Sequence, residues 1–308
     1  MSIPVGRRHY WPLSSLLLFC VGTSPTVAGD PAKLIYRSNV TEVRLNFSAA
    51  DQNNHGVATL QASDFAVVDS DVVVRNFQSF TRSDWTKLEI AILIDASESV
   101  TPRFSQEMAD ILHLVSSAEG VPPENLSIFS FEGSRPALLC AGDCRASQAA
   151  GRLPEVRAHG LTPLFDTIVF AEDYLAHHGD ARAEKTLIVF SDGVDSVSQD
   201  SLGDALDASV RSEVQLDCID LNKSAYGSQG AAILRNLASA TGGRYFSPPE
   251  GTTGVLNALL EELRANYIVT YRLPSRAPGF HAVRILPTHN LKLQFRSRIG
   301  YYYPNQVQ

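Results

Sequence analysis

The stretch "LEIAILIDASESVTPRF" (residues 88–104) carries an unbroken apolar run over 90–94 and then a cluster of oxygen atoms. Side chains from Ile90 to Ile94 are all apolar, and Asp95, Ser97, Glu98 and Ser99 follow at once. A strand apolar on both faces suits a parallel sheet covered by helices on each side. Two readings of its polar end stand open. One is an ordinary strand-to-helix turn with a capping serine; the other is a loop whose oxygens hold a ligand.

Downstream, strand and helix patterns alternate. Met108, Ile111, Leu112 and Val115 recur at helical spacing, with Pro102 suited to the first turn and Gly120 to the end. Strands are predicted at "LSIFSFE" (126–132), "TLIVFSD" (186–192) and "VQLDCIDL" (214–221), with a short one at "RYF" (244–246). Helices are predicted at "PLFDTIVFAEDYLAHH" (163–178, opened by Thr162 and Pro163), "SLGDALDASVRS" (201–212), "AAILRNLASATGG" (231–243) and "GVLNALLEELRAN" (254–266). Such alternation predicts a doubly wound α/β domain over 86–266, a mainly parallel sheet flanked by helices.

On either side the texture is β. "VTEVRLNFSA" (40–49) alternates, and "DFAVVDSDVVVRNFQSF" (64–80) reads as two strands around Asp69-Ser70-Asp71. After 266, "YIVTYRL" (267–273), "FHAVRIL" (280–286) and "LKLQFRSRIGYYY" (291–303) each read as one strand. Segments of about 60 residues are marginal alone. The flanks 29–85 and 267–308 are therefore expected to pair into one small β-sandwich around the inserted α/β domain.

Residues 1–28 read as a signal peptide: Arg7 and Arg8, an apolar run over 11–22, then "TVA" before Gly29. That run is too short to span a bilayer, and no other run is long enough, so the expectation is an exported chain, periplasmic or secreted, without an integral membrane segment. Losing the leader takes the net charge from −7 to −9. An acidic surface argues against a nucleic-acid partner, which needs clustered Lys and Arg. Outside the leader there are three cysteines. Cys140 and Cys144 lie in a polar stretch where export permits a disulfide; zinc would need a second close pair of ligands. Cys218, in an apolar run, reads as a buried, inert thiol.

In an open α/β sheet, sites form at the carboxyl ends of strands. Three loops there carry oxygens: Asp95 to Ser99, "GLTPLFD" (160–166) with Thr162, and "FSDG" (190–193) with Asp192. Alternation in an extended loop lets Asp95, Ser97 and Ser99 face one point while Glu98 points away. Oxygen-only donors suit Mg²⁺, Mn²⁺ or Ca²⁺ rather than zinc. Taken singly, Ser99 or Thr162 is more often a cap than a ligand, and Asp192 before Gly193 more often a turn residue.

The ordered set "DASES" (95–99), "GLTPLFD" (160–166) and "IVFSDG" (188–193) resembles the von Willebrand factor type A domain and its metal-ion-dependent adhesion site, Asp-x-Ser-x-Ser then Thr then Asp. The resemblance implies Mg²⁺, with Mn²⁺ or Ca²⁺ as alternatives, ligated by the hydroxyls of Ser97, Ser99 and Thr162. Asp95 and Asp192 would act through water or complete the shell. It also implies adhesion-type binding in which an Asp or Glu of a protein partner completes the coordination. The flanks are similar to those of exported bacterial VWFA-related proteins. No Gly-x-Ser-x-Gly elbow, phosphate loop or His-Glu-x-x-His helix is present. A binding module is therefore expected ahead of a hydrolase using the same ion or a scaffold that leaves the site unused.

Overall fold

The structure, a computed structural model, describes residues 42–304 apart from 54, 84–87, 117–121, 134, 143, 146–148, 150, 181, 223–227 and 248–252. The expected signal peptide, the expected boundary at 85/86 and the helix end at Gly120 lie outside the described residues. The amino-terminal flank supplies β1 (Glu42–Ala50), β2 (Phe65–Asp69), β3 (Val72–Val74) and β4 (Ser79–Arg82). Next come β5 (Leu88–Asp95), α1 (Thr101–Ser116), β6 (Leu126–Glu132), β7 (Arg135–Ala141), α2 (Leu164–His178) and β8 (Glu184–Ser191). They are followed by α3 (Leu202–Ser212), β9 (Gln215–Asp220), α4 (Gln229–Thr241), β10 (Tyr245–Phe246) and α5 (Thr253–Arg264). The carboxyl-terminal flank adds β11 (Tyr267–Arg272), β12 (Gly279–Pro287), β13 (Gln294–Ser297) and β14 (Gly300–Tyr303).

The central sheet has the order β10-β9-β8-β5-β6-β7, parallel except for β7. Ile90, Ile92 and Ile94 pack on one face with Ile111 of α1 and Leu259 and Leu263 of α5. Ala91 and Leu93 face the other way, against Ile168 and Leu175 of α2 and Leu234 and Leu237 of α4. Period-two alternation thus feeds two separate apolar layers from the apolar run 90–94 of one strand, each buried aliphatic side chain contributing about 1.5–3 kcal/mol. The predicted doubly wound α/β architecture is the one observed.

The flanks share two antiparallel sheets. In one, β1 lies between β11 (Leu45 opposite Val269) and β13 (Phe47 opposite Ser297), with β4 beyond β11. In the other, β12 lies between β14 and β2, with β3 outermost. A Phe47, Phe65, Tyr267 and Tyr271 core fills the space between them. Buried Asp69 accepts hydrogen bonds from the Tyr271 hydroxyl (2.9 Å) and the Tyr301 hydroxyl (2.8 Å), linking strands of both sheets. Burial of a carboxyl is tolerable when its lone pairs are satisfied in this way. The β2–β3 hairpin turns at Ser70 and Asp71, both at positive φ, as a tight two-residue hairpin requires.

Two expectations about strands are corrected, and one about cysteines is met. "RPALLCA" forms β7, an antiparallel edge strand that was not anticipated; Pro136 and the exposed Leu138 mask the pattern, and an edge tolerates both. The disulfide that the sequence permits is present: Cys140, on β7, and Cys144 are joined, and both are buried. Residues 291–303 are not one strand. Buried Arg298 breaks it, its Nη2 donating to the Arg44 carbonyl (2.9 Å) and its Nη1 pairing with Glu213 (2.9 Å). The two halves consequently enter different sheets.

Candidate metal site

β5 is the first strand of the central sheet, and the chain adds strands on one side of it (β6, β7) before crossing to the other (β8). That reversal leaves a crevice at the carboxyl ends of β5 and β8. Asp95 ends β5, and Ser191 ends β8 with Asp192 directly after it. Backbone bonds tie the neighbouring loops to this edge. His159 N–H donates to the Ala96 carbonyl (2.7 Å) and Glu98 N–H to the Gly160 carbonyl (3.2 Å). The Thr162 N–H donates to Ser196 Oγ (2.8 Å), while the Ser196 N–H donates to the Thr162 carbonyl (2.9 Å). Gly193 and Gly230 touch so closely that a Cβ on Gly193 would lie 2.3 Å from the Gly230 carbonyl oxygen. Gly193 also sits at φ +75°, where a side chain is strained.

Asp95 is fully buried. Its Oδ1 accepts the Ser97 N–H (2.9 Å) and its Oδ2 accepts the Ser191 hydroxyl (2.6 Å). Burial raises its pKa to about 6, an effect partly offset by the bonds from Ser191 and Ser97 and reinforced by the charge of Asp192. Ser97 Oγ lies 3.1 Å from Ser99 Oγ; Ser97 is buried, and Ser99 and Glu98 are exposed. Asp192 is buried, its Oδ1 accepting the Val194 N–H (3.0 Å) and its carbonyl accepting Asn222 Nδ2 (2.8 Å). Thr162 is buried too.

The structure therefore brings Asp95, Ser97 and Ser99 into one hydrogen-bonded loop, puts Asp192 within electrostatic reach of Asp95, and holds Thr162 on the loop stitched beside them. The competing capping role does not account for the hydroxyls of Ser97 and Thr162. Ser97 precedes a short helical turn without its side chain accepting a cap bond, and Pro163, not Thr162, stands at the cap position of α2. Among the described residues no three His, Cys, Asp or Glu side chains converge as a metal cluster. A cation here would rest on hydroxyls backed by two carboxylates, an all-oxygen set that fits a hard divalent ion.

Three neighbours of the site were not foreseen from the sequence. Ser191 braces Asp95, and Asn222 braces the Asp192 backbone. Glu107 on α1 is buried, with neither carboxyl oxygen partnered among the described residues. Burial first, then the charges of Asp95 and Asp110, push its pKa well up. Its signal was legible: Glu107 stands four residues before Ile111, on the helix's core-facing side. Asp195, by contrast, braces the start of α2, accepting from Ser198 Oγ (2.5 Å) and the Phe165 N–H (3.3 Å).

No family model and no curated protein matches this chain. Solved structures similar to it include an aerotolerance-related membrane protein from Bacteroides fragilis (18% identity, 57% of this chain and 98% of that one, TM-score 0.45). Manganese-loaded TRAP protein from Plasmodium vivax is similar too (16% identity, 71% and 96%, TM-score 0.43). So is a von Willebrand factor type A protein from Catenulispora acidiphila (12% identity, 89% and 77%, TM-score 0.43). In the order of its three oxygen-bearing loops and in the doubly wound sheet that displays them, the chain resembles the von Willebrand factor type A domain.

Proposed function

We propose that this is an exported binding module, an α/β domain over 86–266 carried between β flanks, that engages a protein partner through a divalent cation. Ser97, Ser99 and Thr162 would hold the ion through their hydroxyls, with Asp95 and Asp192 close by. Bound there, Mg²⁺ or Mn²⁺ would supply a positive charge that mostly neutral hydroxyl donors leave uncompensated. An Asp or Glu of the partner is the matching ligand, being hard and anionic. The observation carrying this reading is the Ser97–Ser99 hydroxyl pair, 3.1 Å apart beside buried Asp95, with neither Ser97 nor Thr162 spent on capping a helix.

Exposed Leu161 and Val194 stand next to Thr162 and near Asp192, giving the rim apolar shoulders. They favour a partner whose acidic residue is flanked by an apolar side chain. Binding is preferred to catalysis because His159, the histidine nearest in sequence, faces Glu132 (3.4 Å) rather than a site hydroxyl. No described helix is long and apolar enough to cross a membrane. Export rests on the leader-like residues 1–28.

Titration calorimetry of the whole protein with MgCl₂ and MnCl₂ tests the reading. Saturable uptake is expected near one ion per chain, lost in Asp95→Ala and weakened in Ser99→Ala. Absence of uptake by the correctly folded protein, or uptake by both variants equal to the parent's, would sink it.

A further inference from the structure

At the carboxyl-terminal end of α4, away from its Ser228–Gly230 start beside Asp192, lies a groove of about 600 Å³. Its walls are the second half of α4, the turn from Gly242 to Tyr245, the strand β12 from Val283 to Leu286, and β13 with Ile299. Four arginines line it (Arg235, Arg244, Arg284 and Arg296) and no carboxylate does among the described residues. This inverts the sign of a chain with 33 acidic and 26 basic residues. Arg244 and Arg296 share Glu262 behind the wall, and Arg235 lies over the Tyr245 ring at 4.5 Å. Arg235 and Arg284 are exposed and have no carboxylate partner among the described residues. Leu286 and Ile299, 44% and 48% exposed, add apolar surface.

The same walls offer unpaired backbone. Among the described residues β13 is bonded to β1 only, and from Arg284 onward β12 is bonded to β2 only, because β14 covers just Gly279–Ala282. Strand edges of this kind accept an extended chain, main-chain bonds giving affinity and side-chain pockets giving choice. A cationic, carboxylate-free lining on an acidic protein selects an anionic visitor by charge complementarity.

We infer that this arginine-lined groove is a second protein-binding surface, which takes an extended acidic peptide segment carrying apolar side chains, independently of the metal site. The groove contains none of Asp95, Ser97, Ser99, Thr162 or Asp192, so its occupancy does not need a cation.

The test uses the whole protein in EDTA. A fluorescein-labelled, end-blocked peptide of roughly eight residues alternating Asp and Val, long enough to run along one strand, is titrated by fluorescence anisotropy. The peptide with Lys for Asp, and dodecanoate as a small anionic amphiphile, are the controls. Saturable binding of the acidic peptide is expected, unchanged in Asp95→Ala and weakened about tenfold in the double variant Arg235→Glu/Arg284→Glu. Both arginines are exposed, so the melting temperature of the double variant checks that the fold is intact. Hydrogen exchange should slow at 284–286 and 294–297 on binding. No saturable binding, equal binding of the Lys peptide, an unaffected double variant, or displacement of the peptide to dodecanoate as the sole binder would each overturn the inference. Because the titration runs without metal, its failure leaves the cation reading untouched, and the reverse also holds.

Discussion

Glu172, on the buried face of α2, shows how one side chain can set the pH response. It is 2% exposed and accepts from the Ser209 hydroxyl, while its other oxygen has no partner among the described residues. Burial, partly offset by that hydroxyl, raises its pKa from 4.5 to about 8. A raised carboxyl pKa means the folded state favours the neutral acid. Its stability contribution is therefore complete below pH 4.5 and is lost as pH climbs towards 8, at about 1.4 kcal/mol per unit. Glu172→Gln should consequently unfold at higher urea than the parent at pH 8, with the gap closing by pH 5; parallel curves at both pH values would refute the assignment. Ser191 makes a second residue-scale case. Ser191→Ala removes the hydroxyl that donates to Asp95 and accepts the Gly193 N–H. A bond to a charged group contributes about 1.5–3 kcal/mol, so Mn²⁺ uptake measured by calorimetry should weaken about tenfold or more while the circular dichroism spectrum stays unchanged.

Among the elements, the loop after β8 is fixed by its contact with the first turn of α4. Gly230 is a helical residue, and in an ordinary helix Gly→Ala adds about 0.5–1 kcal/mol of stability. Here a Cβ would lie 2.0 Å from the Asp192 carbonyl oxygen. Gly230→Ala should instead destabilise, by about 1–3 kcal/mol from overpacking, and should displace Asp192. Urea unfolding gives the sign directly, and a stabilised variant would show that the close contact does not exist. The helices otherwise follow local rules. Ser201 forms a capping box with Asp204 at the start of α3, and Gly242 closes α4 in the left-handed conformation.

For the molecule as a whole, the two β flanks have little to fold against except each other and the α/β domain. β1 takes its partners from β11 and β13, and β2 takes one of its two from β12, residues more than two hundred positions away. Polar stitches then fasten the sandwich to the α/β layer. Glu262 of α5 pairs with Arg244 and with Arg296 of β13, Arg44 of β1 pairs with Glu184 of β8, and the Tyr302 hydroxyl donates to Asp207 of α3 (2.8 Å) beneath the Arg211 guanidinium. Residues 29–85 expressed alone should therefore give no cooperative urea transition, and deletion of the chain after Arg264 should leave β1 and β2 unprotected in hydrogen exchange. A cooperatively folded 29–85 fragment would show that the amino-terminal flank stabilises itself.

The sequence by itself determined the α/β architecture, because a buried parallel strand and an amphipathic helix each carry their period within about a dozen residues. It also determined which loops bear oxygen atoms: Asp95, Ser97, Ser99, Thr162 and Asp192 follow their strands directly or precede a helix. Tertiary structure alone decided features that depend on distant partners. Whether "RPALLCA" would pair depended on the open edge of β6. Where 291–303 would break was set by Glu213 and Arg44 reaching Arg298. The brace from Ser191 to Asp95 and the arginine-lined groove both come from strands and helices meeting across long stretches of chain. Local periodicity records which face of an element is buried, whereas its edges and neighbours are chosen only when the layers pack.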